Sequence, residues 1–297
     1  MYDTVNLWLA KEDISSKDFF TELSDINEWH NEKQGYSYRG KLKNYIVSVY
    51  ENGISLKGSL AKYYLDNNIE TLTMEMIQKT IEKLSNELHI DLRQAKVSRL
   101  DIGAVIPTKH PPYEYFHYLG NKPRFKRLEV VQGETIYYNN HQRQLAFYDK
   151  AKEAAVKGTN LLRYELRYKC RFKKQLKTDV IASMLYDETF YQSIVQNWFN
   201  EFQTIQKLKN HSIILDNVTS PKELKEATFA NLLQKEGQSY VDRIIADVKA
   251  TKCFKNRSDY TKAKNDFNNL LSGKRGEQSD IMQELEAAIY YIAKNAQ

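Results

Sequence analysis

Val5, Leu7 and Leu9 alternate with Asn6 and Trp8, the two-residue period of a strand with one buried face. The same period predicts strands over Tyr36–Arg39, Tyr45–Tyr50 and Ile54–Lys57. Turns join them at 40–44 and at Glu51-Asn52-Gly53, where Asn-Gly is a hairpin signal. Ser16–Leu23 suits a short helix. From Thr73 the apolar spacing becomes helical, with Met76, Ile77, Ile81, Leu84 and Leu88 on one side and Thr71 or Thr73 as cap. Alternation returns at Val97–Ile106, at 124–131, 134–140 and 143–150, and again at 161–168 after a polar loop from Glu153 to Asn160. Pro111-Pro112 opens a short helix through Leu119. Beyond Lys169 the pattern is helical: 177–209, then a link at His211–Asp216, then helices starting at Ser220 and covering 239–250, 258–272 and 279–294. Ser220-Pro221 with Glu223 combines a capping serine, proline at the first helical position and an acid to close the box. The expectation is an α+β fold. A mostly antiparallel sheet domain with flanking helices occupies 1–209, and a smaller all-helical domain occupies 210–297.

Charge changes this picture modestly. Forty-four Lys and Arg stand against 38 Asp and Glu in 297 residues, a net charge of +6 that suits a polyanionic partner without requiring one. The excess is local: residues 122–177 hold fifteen Lys and Arg against five acids, so the remainder is net acidic. Twenty-one tyrosines can stack bases or fill strands, and Tyr137 and Tyr138 are open to either role. Cys170 and Cys253 are too far apart in sequence to suggest a zinc motif or a disulfide framework. The N-terminal stretch reads as a strand rather than a signal peptide, and no apolar run reaches the ~20 residues of a membrane span. A cytoplasmic protein with no membrane partner is expected.

Three polar positions interrupt apolar strands: Asp101 between Leu100 and Ile102, Tyr148-Asp149-Lys150 at a strand end, and Glu165 between Tyr164 and Leu166. An acid in a buried strand is costly unless it is paired or binds a cation. Alternation puts Arg99 with Asp101 on one face, likewise Arg163, Glu165 and Arg167, and likewise Tyr148 and Lys150. Such a set can serve phosphoryl transfer. It can equally be acids and arginines pairing across strands on a solvated sheet face.

The motif order resembles the phage and plasmid replication initiators of the gene II/X type, the family of the filamentous-phage replication protein. Four segments carry the resemblance: Lys57-Gly-Ser-Leu-Ala-Lys62 with Asn67-Asn68, Ser98-Arg-Leu-Asp-Ile-Gly103, Leu145-Ala-Phe-Tyr-Asp-Lys150 and Leu161-Leu-Arg-Tyr-Glu-Leu-Arg167. The start Met1-Tyr-Asp-Thr4 is similar too, and the same series is found in rolling-circle initiators of staphylococcal plasmids. The resemblance covers about residues 1–175 and leaves the helical C-terminal part unmatched.

That resemblance implies an enzyme that nicks one DNA strand at a replication origin through a 5′-phosphotyrosine and can rejoin strands. Tyr148 would be the nucleophile, with Lys150 stabilising the phenolate or the phosphate oxygens. Asp101 and Glu165, with Glu134 as a third acid, would hold Mg²⁺ or Mn²⁺. No His-hydrophobic-His pair exists among the six histidines, so oxygen ligands and a hard cation are expected. Lys62, Arg99, Arg163 and Arg167 are the candidate DNA contacts. Single-stranded and duplex origin DNA, a host helicase and polymerase, and a second copy of the chain are the implied partners. A non-catalytic, sequence-specific DNA-binding replication regulator and a scaffold with a charged sheet face stay open as alternatives.

Overall fold

The computed structural model describes residues 1–14, 21–31, 35–130, 134–210, 218–272 and 277–296. In chain order the elements are β1 (Tyr2–Ala10), β2 (Ser24–Asn31), β3 (Gly35–Leu42), β4 (Tyr45–Tyr50), β5 (Gly53–Ser59), α1 (Leu60–Leu65), α2 (Met74–Glu87) and β6 (Lys96–Pro107). There follow α3 (Pro112–His117), β7 (Lys126–Val130), β8 (Thr135–Asn139), β9 (Arg143–Asp149), α4 (Lys150–Glu153), β10 (Leu161–Tyr168), α5 (Phe172–Leu176) and α6 (Glu188–Gln203). The chain ends with β11 (Lys209–Asn210), α7 (Pro221–Ala250), α8 (Arg257–Ser272), β12 (Glu277–Gln278) and α9 (Asp280–Asn295).

Ten strands form one antiparallel sheet in the order β2-β3-β4-β5-β1-β6-β10-β9-β8-β7. The expected alternation decides its two faces. Val5, Leu7, Leu56, Leu100, Ile102, Leu145, Phe147, Leu162, Tyr164 and Leu166 enter a single core with side chains of α1, α2, α3, α6 and α9. Thr73 caps α2 by accepting from the Met76 amide, and Ser220 caps α7 by accepting from the Glu223 amide, as their sequence patterns predict. A stack of aromatic rings ties α6 to the middle of the sheet. Phe147 lies 4.5 Å from Tyr164 at 8°, and Tyr164 lies 4.8 Å from Trp198. The Tyr164 hydroxyl donates to the Trp198 carbonyl at 2.9 Å. These rings lie directly behind the strand segments that carry Tyr148 and Glu165.

Beyond residue 210 the packing divides. Leu208, Leu233, Val241, Ile245 and Leu271 make a second, small core between α7 and α8. α9 instead returns Met282, Leu285 and Ile289 to the first core. The helical region expected over 210–297 is therefore an α7–α8 pair, docked through Arg127–Ser239 and Asn121–Asn268 hydrogen bonds, and a last helix that belongs to the sheet. The link expected at 211–216 and most of the helix expected at 16–23 fall outside the described residues. No helix among the described residues is long and apolar enough to cross a membrane.

Candidate active site

Strand register brings the motif residues together. Arg167 stands opposite Asp101 on β6 and Gln144 on β9, Glu165 opposite Gly103 and Ala146, and Arg163 opposite Tyr148. Opposite residues in a sheet share a face. All of these side chains therefore lie on the face away from the aromatic stack.

There they form one hydrogen-bonded network. The Tyr148 hydroxyl donates to Glu165 Oε1 at 2.9 Å, and Arg163 Nε donates to the same oxygen at 3.0 Å. Arg167 donates from Nε and Nη2 to Glu165 Oε2 at 2.8 and 2.6 Å, and from Nη1 to Gln144 Oε1 at 2.9 Å. Arg99 grips Asp101 in a fork, Nε to Oδ1 at 3.0 Å and Nη2 to Oδ2 at 2.7 Å. Arg163 also reaches Asp3 Oδ2 at 3.0 Å and the Asn68 carbonyl at 2.9 Å. Asp101 and Glu165 are 2% and 3% exposed. Three guanidinium groups thus balance three buried carboxylates, which is what makes the burial tolerable. The acids pair mainly with arginines two residues away on their own strands, and across strands through Arg163–Asp3; the carboxylates are buried, while Arg99 and Arg167 keep part of their surface exposed.

Asp3 is legible only as part of the N-terminal resemblance. Its signal is an acid in step with the apolar positions Val5, Leu7 and Leu9. The pairing of β1 with β6 shifts register between Tyr2 and Val5, and within that irregularity Asp3 turns to Ser59 and Arg163. Gln144 and the backbone of Asn68 are further members that alternation alone does not single out.

The charges set the protonation of the pair at the centre. Burial drives the Tyr148 phenol well above its ordinary pKa, and the neighbouring Glu165 carboxylate adds to this. Burial also opposes ionisation of Glu165, but Arg163 and Arg167 outweigh it and hold that carboxyl below its ordinary value. In the free protein the proton therefore stays on Tyr148. Asp101 goes the other way: burial pushes it up to about 6 although Arg99 and Arg167 favour its charged form.

A family model for the N-terminal region of a replication-associated phage protein, the phage CRI family, matches residues 1–201. The chain belongs to this family. Among solved structures it is similar to a rolling circle replication initiator protein from Geobacillus stearothermophilus, at 11% identity over 76% of this chain and 90% of that one, with a TM-score of 0.40. Comparison with curated proteins gives no match. The family match takes in all ten strands of the large sheet and ends inside α6, so α7, α8 and α9 lie beyond it.

The other expected site residues of this phage CRI family member are placed differently. Lys150 is fully buried, and its Nζ donates to Asn68 Oδ1 at 2.8 Å and pairs with Glu153. It ties the 66–73 loop to the start of α4. Glu134 is paired at the surface with Lys152 rather than with Asp101 or Glu165. Lys62 is exposed on α1, outside the network. Tyr138 is core, its hydroxyl donating to the Gly120 carbonyl at 2.7 Å, whereas Tyr137 is partly exposed with the Arg167 guanidinium 5.9 Å from its ring centre. Part of the basic stretch is likewise committed to structure: Lys122, Arg127, Lys150 and Arg163 are all buried.

The metal expectation meets a specific obstacle. All four carboxylate oxygens of Asp101 and Glu165 accept from guanidinium groups, and Arg167 Nε, bonded to Glu165, stands 3.9 Å from Asp101 Oδ2. Among the described residues no group of three or more His, Cys, Asp or Glu side chains could hold a metal ion. As arranged, this donor set fits guanidinium groups and not a divalent cation.

Gly103 ends the Arg-Leu-Asp-Ile-Gly motif for a steric reason. A Cβ there would meet Glu165 Cγ and the Tyr164 carbonyl at 2.7 Å. Gly103→Ala is expected to lower stability by about 1–3 kcal/mol through overpacking and to push Glu165 off Tyr148. Thermal melting of the variant checks this.

Asp101 also predicts a pH dependence. Its folded pKa of about 6 lies above the ordinary 3.8, so between these values the folded state holds a proton that the unfolded chain has released. Stability from this group is then full below about pH 4 and falls as pH rises to 6, by on the order of 3 kcal/mol. Glu165, held low, contributes with the opposite sign: its share is present above its ordinary pKa and lost on acidification. Asp101→Asn should remove the descending limb from a denaturation series run between pH 4 and 7.

Proposed function

We propose that this member of the phage CRI family is a rolling-circle replication initiator that cuts one strand at an origin by attack of Tyr148 on a phosphodiester. The observation that carries the reading is the Tyr148 hydroxyl at 2.9 Å from a carboxylate that two arginines hold ionised. It sits on strands that lie within the family match.

The residues divide by exposure. The Arg163 side chain is 4% exposed and fixed by Asp3 and Asn68, so it positions Glu165. The Arg99 and Arg167 side chains are 39% and 20% exposed and can reach a phosphate. When the scissile phosphate draws Arg167 away, Glu165 loses part of what holds its carboxyl low and becomes a better base. It then accepts the Tyr148 proton as the phenolate oxygen attacks phosphorus. The Tyr148 O–P bond forms and the bond from phosphorus to the 3′ oxygen breaks. That oxygen takes up a proton, leaving a 5′-phosphotyrosine and a free 3′-OH. Because the new ester keeps the bond energy, the reverse attack rejoins strands, and the 3′-OH can prime a polymerase. Lys150 acts behind this, by holding the loop that anchors Arg163.

The direct experiment mixes the protein with single-stranded oligonucleotides from its own replicon and separates products under denaturing conditions. A shifted protein band carrying the 3′ part of a cut strand, joined through its 5′ phosphate, supports the reading, with the 5′ part released bearing a free 3′-OH. A second reading, a non-catalytic origin-binding regulator, draws on the same network, since every carboxylate in it is already satisfied. It predicts salt-sensitive binding with no covalent band.

A further inference from the structure

The helices of the first core cover one face of the sheet, and among the described residues the face bearing Arg99 extends onto β1, β5, β4 and β3. Two rows of opposed residues cross it. One runs Lys41, Ile46, Lys57, Asn6, Arg99, and the other Arg39, Ser48, Ser55, Trp8, Lys96. A register shift between Asn6 and Leu7 keeps both rows on this face while Leu7 and Val97 turn to the core. The rows hold five cations and no acid. Arg39, Lys41, Lys57 and Lys96 are exposed, with Lys41 paired to Asp25 at 2.8 Å and Arg99 to Asp101.

Two aromatic rings lie among these charges. Trp8 and Tyr50 are both partly exposed, with ring centres 6.0 Å apart and planes tilted by 39°. Gly53 makes room for the indole: at φ +155°, a Cβ there would stand 2.7 Å from Trp8 Cζ2 and 2.3 Å from the Leu9 carbonyl oxygen. A tryptophan laid over a glycine beside a tyrosine, ringed by lysine and arginine, is the chemistry that binds unpaired bases: rings for the bases and cations for the backbone. A purely structural cross-strand pair would need no such cations.

We propose that this face is a stacking platform for single-stranded DNA, continuous through Arg99 with the Tyr148 site. By strand spacing and rise the platform stands roughly 30 Å from Tyr148. It rests on the nicking reading only for the identity of the strand it holds, which is a part of the cut strand remote from the scissile phosphate.

The test measures binding of a fluorescent oligo-dT of about twelve nucleotides, within the usual footprint of single-strand binders. It uses the full chain in the Tyr148→Phe background, where no adduct forms, so the outcome does not depend on whether Tyr148 is a nucleophile. Trp8→Leu is expected to raise Kd on the order of 10-fold, Tyr50→Leu to raise it as well, and Trp8→Phe to restore most of the loss. An abasic oligonucleotide of the same length should bind more weakly than oligo-dT to the parent chain and equally to Trp8→Leu; this first arm needs no variant at Trp8 to fold. Equal affinity for oligo-dT and the abasic strand in the parent chain, or an unchanged Kd in a folded Trp8→Leu variant, overturns the platform. Trp8-dependent binding by a wild-type chain that forms no adduct keeps the platform and removes the nicking reading.

Discussion

Tyr148→Phe is expected to abolish the covalent adduct and to slow strand cleavage by a factor on the order of 10⁴ or more, the scale seen when a nucleophile is deleted. The protein should remain folded. The hydroxyl makes one hydrogen bond, to Glu165, and that carboxylate keeps Arg163 and Arg167 when it is lost. The ring itself packs as before, so stability should change by only about 1 kcal/mol. Cleavage at a wild-type rate in this variant would mean that another group attacks.

Glu165→Ala has the largest expected effect on stability. Glu165 is 3% exposed and accepts from Tyr148, Arg163 and Arg167. Removing it leaves two guanidinium groups on the same face of β10, either side of position 165, with one partner fewer, and breaking a buried pair in this way costs about 3–5 kcal/mol. A melting temperature lower by roughly 10 °C follows for a domain of this size. Loss of cleavage in Glu165→Ala therefore mixes chemistry with folding. Glu165→Gln keeps the shape and the acceptor oxygen but cannot take a proton at neutral pH. It should lose cleavage while losing less stability, and a calorimetric melt beside a single-turnover assay separates the two effects.

The sheet and the heart of the site were largely legible in the residues. Alternation placed β1, β4, β6 and β10 almost to their ends, and it put Arg99 with Asp101 and Arg163 with Glu165 and Arg167. What it missed depends on register between strands distant in sequence. The roles of Gly103 and Gln144 emerge only when β10 is laid between β6 and β9, and Asp3 joins only through an irregularity in β1. β2 carries few apolar residues to alternate, with Ile26 exposed at the sheet edge, so its pattern is weak. Residues 60–65 follow strand residues directly, and the helix there begins because the Ser59 side chain accepts from the Lys62 amide.

Charged residues were the harder part, because a sequence shows charge but not partner. Lys150 looks like a phosphate ligand and proves to be a buried tie to Asn68 and Glu153. Glu134 looks like a third acid and is held by Lys152. Asp101 and Glu165 look like an open cation site until the guanidinium groups beside them are placed. Trp8 looked like an ordinary strand residue, and only the cross-strand rows reveal the cations around it.

The proposed cut begins at one atom, the hydroxyl oxygen of Tyr148. Mass spectrometry of a trypsin digest of the covalent complex tests it most directly. The peptide Gln144–Lys150 should carry the nucleotide remnant, with the added phosphate on Tyr148. A remnant on any other tyrosine, or an intact unmodified Gln144–Lys150 peptide in purified adduct, would contradict it.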